Sequence, residues 1–145
     1  MSVTRAQLVA AARRWIGTPY HHQASLLQIG CDCLGLVRGV WRDAIGPEPE
    51  EASPYGIDWA EAGRADKLLQ ALNRHFHQIE LCAYREGDVL LFRFLAHRPA
   101  THLGIATSPT HMIHAHSGAC VIEAEIGAHW RKRLVASFAF PGVTD

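Results

Sequence analysis

The sequence has no surplus of either charge: 14 Lys and Arg are balanced by 14 Asp and Glu. Neutrality removes the electrostatic argument for nucleic acid or an anionic membrane as a partner. The short run Arg131-Lys132-Arg133 reads as a solvated face. No stretch approaches the ~18 apolar residues of a membrane span, so membrane insertion is not expected. Internal repeats and low-complexity tracts are absent. The N-terminus lacks the shape of an export signal, because Arg13 and Arg14 interrupt its short apolar part, and it reads as a folded helix instead. The expectation is a protein that is cytoplasmic when made and needs other means of delivery to act elsewhere. Cysteine is scarce, with Cys31, Cys33, Cys82 and Cys120 only, and nothing suggests a disulfide framework. Cys31 and Cys33 are too close for an ordinary bridge. Cys82 and Cys120 sit in strand-like surroundings and read as small buried hydrophobes, with a bridge between them as the alternative. The regular zinc spacings Cys-x-x-Cys and His-Glu-x-x-His do not occur.

What is present suits one domain with a real core: 145 residues, 48% hydrophobic and 19% charged. Thr4 is placed to cap a helix running to about residue 15, with Leu8, Ala11, Ala12, Trp15 and Ile16 along one side. Gly17-Thr18-Pro19 ends it, and residues 20–31 read as a loop. A second helix is expected from Asp32 or Cys33 to about Asp43, with Leu36, Val37, Val40 and Trp41 on its buried face. A Pro- and Glu-rich loop follows, then a third helix over residues 59–76. Beyond it the pattern changes to short strands at 78–81, 89–94, 102–107, 112–115, 119–125 and 134–140, separated by turn signals. Helices first and strands after imply an α+β fold with an antiparallel sheet.

The chemistry concentrates in Gly30-Cys31-Asp32-Cys33-Leu34-Gly35-Leu36-Val37. A cysteine in the first turn of a helix meets free N–H groups and the positive end of the helix dipole, which favour a thiolate. Gly35 keeps the helix start uncrowded, so a substrate or a facing strand can approach closely. Nucleophilic cysteines need a histidine within reach and a group that orients it. The sequence holds ten histidines. His102 lies on one strand and His114 on the next, and a hairpin through Ser108-Pro109-Thr110 sets them opposite one another on one face, toward the helix that begins with the cysteine. His97, His111, His116 and His129 read as surface or loop residues.

Several stretches resemble the NlpC family of bacterial and phage cell-wall cysteine peptidases. They are Gly17-Thr18-Pro19-Tyr20, Asp32-Cys33-Leu34-Gly35-Leu36-Val37, Gly87-Asp88-Val89-Leu90-Leu91-Phe92, His102-Leu103-Gly104-Ile105 and Met112-Ile113-His114-Ala115. The resemblance implies a papain-like fold, with N-terminal helices packed on a central antiparallel sheet. It implies that Cys33 attacks, His102 is the base and His114 orients it, with no cofactor. Tyr20 would help position substrate or oxyanion, and Asp32 would shape the turn before the helix. The substrate class implied is the peptidoglycan stem peptide, cut next to D-γ-glutamyl-diamino acid. Leu34 stands where the family usually has serine, and His21-His22-Gln23 where Trp-Gly-Gly is common, which touches specificity rather than chemistry. The absence of a wall-binding segment fits phage tail-associated members, carried to the wall by a particle, with phage tail proteins as partners.

Other readings stay open at this level. Cys31, Cys33, His102, His114 and His116 carry enough thiolate and imidazole for a zinc site. A non-catalytic tail or structural module could keep the same fold. The same triad could also transfer the acyl group to an amine rather than to water.

Overall fold

The computed structural model describes residues 2–50, 67–116 and 118–145. The expected surface loop and third helix therefore lie partly outside the described residues. In chain order the elements are β1 (Val3–Thr4), α1 (Arg5–Arg13), β2 (Ser25–Leu26), β3 (Gly30–Cys31), α2 (Cys33–Ala44), α3 (Lys67–His75) and β4 (His77–Ile79). Then come β5 (Val89–Phe92), β6 (His102–Ala106), β7 (His111–Ala115), β8 (Val121–Glu125), α4 (Ala128–Arg131), β9 (Leu134–Ala139) and β10 (Val143–Thr144). Six strands form one antiparallel sheet in the order β4-β9-β5-β6-β7-β8. This is the expected α+β architecture of N-terminal helices on a central sheet.

Local chemistry accounts for the helix starts. Thr4 accepts a hydrogen bond from Gln7 N, and Gln7 reaches back to Thr4 N, a reciprocal capping box. Asp32 caps α2 by accepting from Gly35 N at 2.7 Å. The apolar stripe of α2, Leu36, Val37, Val40 and Trp41, packs with Leu8, Ala11 and Ala12 of α1 on one face of the sheet. That sheet face presents Val89, Leu91, Leu103, Ile105, Ile113 and Phe138. The opposite face carries a second cluster of Leu90, Phe92, Ala106, Met112 and Ile126, with Tyr84, Trp130 and Leu134 against it. Strand β5, covered on both sides, is wholly buried, which is why it reads as a continuous apolar run. Asp88, just before it, is buried and tied to Arg5 at 2.8 Å, joining the first helix to the sheet.

Four details depart from expectation. The β6–β7 register pairs Ile105 with Ile113 and Ala106 with Met112. Carried along both strands, it sets Gly104 rather than His102 against His114, because the turn closed by Thr107 and His111 is centred on Pro109, one residue later than a direct pairing of the two histidines needs. His102 and His114 are therefore diagonal neighbours, still on one face since the shift is even. That face is the one turned away from the apolar stripe of α2, since Leu103 and Ile105 fill the helix side. The strand expected to reach Leu81 stops at Ile79, and a turn carries Cys82 to the surface, so this cysteine is exposed rather than buried. All four cysteines are free thiols. Within the segment read as a plain loop, β2 and β3 form a small hairpin.

Trp15 lies flat on α2 at Gly39, where an added Cβ would sit 2.0 Å from the indole ring. In an open helix Gly→Ala stabilises by up to about 1 kcal/mol. Here Gly39→Ala forces the indole out of its place, and we expect a loss of about 1–3 kcal/mol in urea unfolding. A variant as stable as the parent would contradict the packing described.

Candidate active site

Cys33 is the first residue of α2, and the geometry that holds it begins with Asp32. The Asp32 carboxylate is buried and accepts from Gly35 N through one oxygen and from Gln23 N, at 2.8 Å, through the other. It thereby fastens the loop before the helix to the helix itself. Gly35 is required there. A Cβ on it would stand 1.9 Å from the Ala24 carbonyl oxygen. The expected close approach is thus made by the protein's own loop, and Ser25 Oγ seals it by donating to Gly35 O at 2.6 Å.

The start of α2 rests against the backbone of β6. Cys33 Sγ lies 3.4 Å from Thr101 O and receives the Leu103 N–H, so it touches the chain on either side of His102. His102 and His114 are both buried, and His102 Nε2 lies 2.8 Å from His114 Nδ1. Gly104, between them on β6, is closely covered: a Cβ there would stand 2.6 Å from Met112 Sδ and 3.6 Å from His114 Cβ. His102 makes no hydrogen bond to Cys33 in this state, and its Nδ1 is the ring nitrogen left for a thiol proton. If Nδ1 is to accept, Nε2 must carry the hydrogen and donate to His114, whose own hydrogen is then on Nε2.

Tyr20 lies near enough to Cys33 to interact with it electrostatically. Its segment is held by Gly17 N to Val121 O at 2.9 Å and Tyr20 N to Ala119 O at 3.1 Å, with bridges to Cys120 and Cys31. Burial raises the Tyr20 phenol, and the neighbouring Cys33, Asp32 and Cys31 raise it further, so it is a neutral hydroxyl donor at neutral pH. Cys31 is fully buried in the core beside the site.

The electrostatics differ from the sequence expectation of an activated thiolate. Burial and the Asp32 charge push the Cys33 thiol up to about 12, against the opposing N–H groups of Leu103, Leu34 and Cys33. Burial, then His114 and His116, push His102 down to about 3; burial, then His116, push His114 down to about 4. The helix N-terminus alone favours a thiolate, but burial of the sulfur, with the neighbouring Asp32 acting the same way, outweighs it. At neutral pH the resting site is a thiol beside neutral imidazoles. Among the described residues no group of three or more His, Cys, Asp or Glu is placed to hold a metal ion, and the facing nitrogens of His102 and His114 bind each other.

One residue at the site escaped the sequence reading. Trp130, on α4, stacks on His102 with ring centroids 4.7 Å apart and planes 20° from parallel. Its single visible signal is a large aromatic beside the charged run 131–133.

A cysteine that opens a helix, laid against a strand whose histidine is tied to a second histidine, defines a thiol-hydrolase arrangement on an α+β frame. The NlpC/P60 family model matches residues 17–138, and the chain belongs to this family, whose members are cysteine peptidases. Solved structures are similar in fold. The NlpC/p60 domain of the peptidoglycan hydrolase SagA is 22% identical with a TM-score of 0.63, covering 94% of this chain and 98% of that one. An NlpC/P60 family protein from Bacillus cereus is 13% identical with a TM-score of 0.69, covering 97% of this chain and 41% of that one. A lipoprotein-like NLP/P60 protein from Staphylococcus aureus is 17% identical with a TM-score of 0.66, covering 97% and 42%. The chain thus spans nearly all of the first and under half of the other two. No curated protein sequence matches it. No described helix is long and apolar enough to cross a membrane.

Two outcomes follow from the protonation states. Only the thiolate alkylates, so iodoacetamide labelling of Cys33, read by mass spectrometry on its own peptide, should rise about tenfold per pH unit from pH 6 to 9. A rate flat over that range would show a thiolate already formed. The two histidines bind protons more weakly folded than unfolded, so the unfolded chain gains protons first as pH falls below about 6.5. Stability present above that pH is lost down to about 3–4, and His114→Gln should flatten the fall in melting temperature between pH 7 and 5.

Proposed function

We propose that this chain is a cysteine endopeptidase that hydrolyses amide bonds in peptidoglycan stem peptides, next to D-γ-glutamyl-diamino acid. The observation that carries the reading is the seat of Cys33 Sγ on the backbone flanking His102, with His102 Nε2 held by His114. Family membership and the peptidoglycan hydrolase among the similar structures support the substrate class. Carriage to the wall by a phage-like particle is part of the proposal and rests on the sequence resemblance alone.

Because the resting thiol is neutral, the thiol proton passes to His102 Nδ1 as the sulfur attacks the amide carbon, rather than beforehand. The imidazolium formed is stabilised through Nε2–H donated to His114 Nδ1. The developing oxyanion is met by the Cys33 and Leu34 N–H groups at the start of α2, which already act on the sulfur, with the Tyr20 hydroxyl as a further donor. Asp32 is engaged by two backbone amides, so its part is to place the helix start. His102 then protonates the leaving amine, and water, activated by the same ring, releases the acyl group from sulfur.

The test is mass-spectrometric digestion of purified muropeptides with Cys33→Ala and EDTA controls. We expect new fragments whose masses name the bond, a loss of at least about 10⁴-fold in Cys33→Ala, and no effect of EDTA. His114→Ala should retain more, losing about 10²-fold through misorientation of His102. Fragments abolished by EDTA, or none from folded protein with reduced Cys33, would overturn the reading in favour of a metal site or a structural module.

A further inference from the structure

The side chain of His102 is defined by one hydrogen bond, at Nε2. A single bond fixes one point of a ring and leaves its plane free to tilt, because the torsion that sets an imidazole plane has broad minima. The reaction requires the plane as well, since it determines where Nδ1 points. Among the described residues, one neighbour supplies a flat surface nearly parallel to the ring. Trp130 is stacked on it at 4.7 Å and 20°, whereas Phe92 and Phe94 meet it tilted, at 6.0 and 5.3 Å.

The indole is itself held from several sides. Its edges meet Phe92 at 5.1 Å, Phe94 at 5.9 Å and His114 at 5.7 Å. The short α4 that carries it is pinned at both ends. Arg131 Nε donates to Ile126 O and Nη2 to Pro109 O, while Arg133 N donates to Trp130 O and Arg93 N to Arg133 O. This wall reaches back to β8, to the β6–β7 turn and to the end of β5.

We infer that Trp130 is a positioning residue for the catalytic step: its indole face sets the plane of His102 so that Nδ1 points at the Cys33 thiol. The inference rests on the proposed peptidase activity for its functional consequence and on ring geometry for its structural part. The titratable groups acting on His102 are His114 and His116, both on its own side of the sheet.

Three variants separate positioning from mere cover. Trp130→Phe keeps a flat ring, Trp130→Leu keeps apolar volume without one, and Trp130→Ala removes both. On muropeptides, with kcat counted per folded molecule, Leu and Ala should each lose about tenfold in kcat with KM within twofold, and Phe should recover most of it. Only Ala should move the acid limb of kcat/KM upward, because water then reaches His102 and its pKa rises toward the ordinary value. Wild-type kcat in the Leu variant would overturn the inference, leaving Trp130 as cover. Nitrogen NMR of the His102 ring needs no substrate and decides the structural part if the wild type cleaves nothing. Wild type and Phe should give one sharp set of ring signals and Leu a broadened or doubled set. Identical spectra for all would overturn the inference independently of the activity.

Discussion

The site depends on one buried carboxylate. Asp32 accepts amide hydrogens from Gly35 and Gln23, so it closes the first turn of α2 and anchors the loop that precedes it in a single contact. Cys33 owes its place to that turn. The Ala24 carbonyl can press on the helix only because residue 35 has no side chain. Removing the charge would free two amides and loosen helix, loop and thiol together.

The same carboxylate disfavours a thiolate on the cysteine it positions. Placed next to the thiol, it raises the energy of the thiolate, while burial does the same. Helix dipole and backbone N–H groups oppose it without prevailing. The histidines, shielded by Phe92, Phe94 and Trp130, stay neutral far below neutral pH. Holding both partners uncharged keeps a buried ion pair, with its large desolvation penalty, out of the resting protein.

Much of this frame was legible before any coordinates. Thr4 and Asp32 are strong caps, and the stripe Leu36, Val37, Val40 and Trp41 has helical spacing, so α1 and α2 could be placed from local rules. Alternation placed the six strands of the sheet to within a few residues, because half-buried strands must alternate and fully buried ones must be apolar. The short α4 was not legible, since four residues leading into a charged run carry no periodicity. The pair β1 and β10 was equally hidden, being two-residue strands from opposite ends of the chain.

By itself the sequence determined which groups could react and which elements would carry them: a cysteine after a capping aspartate, two histidines on adjacent strands, an α+β order. These are matters of residue type and short spacing, which local sterics and hydrogen bonding govern. Tertiary structure alone decided how they meet. The turn centred on Pro109 set the register that makes the histidines diagonal partners. Long-range packing brought Trp130 onto His102 and left Cys33 on the flanking backbone. Burial, a property of the assembled molecule, set the protonation states in the opposite sense to the helix position read alone.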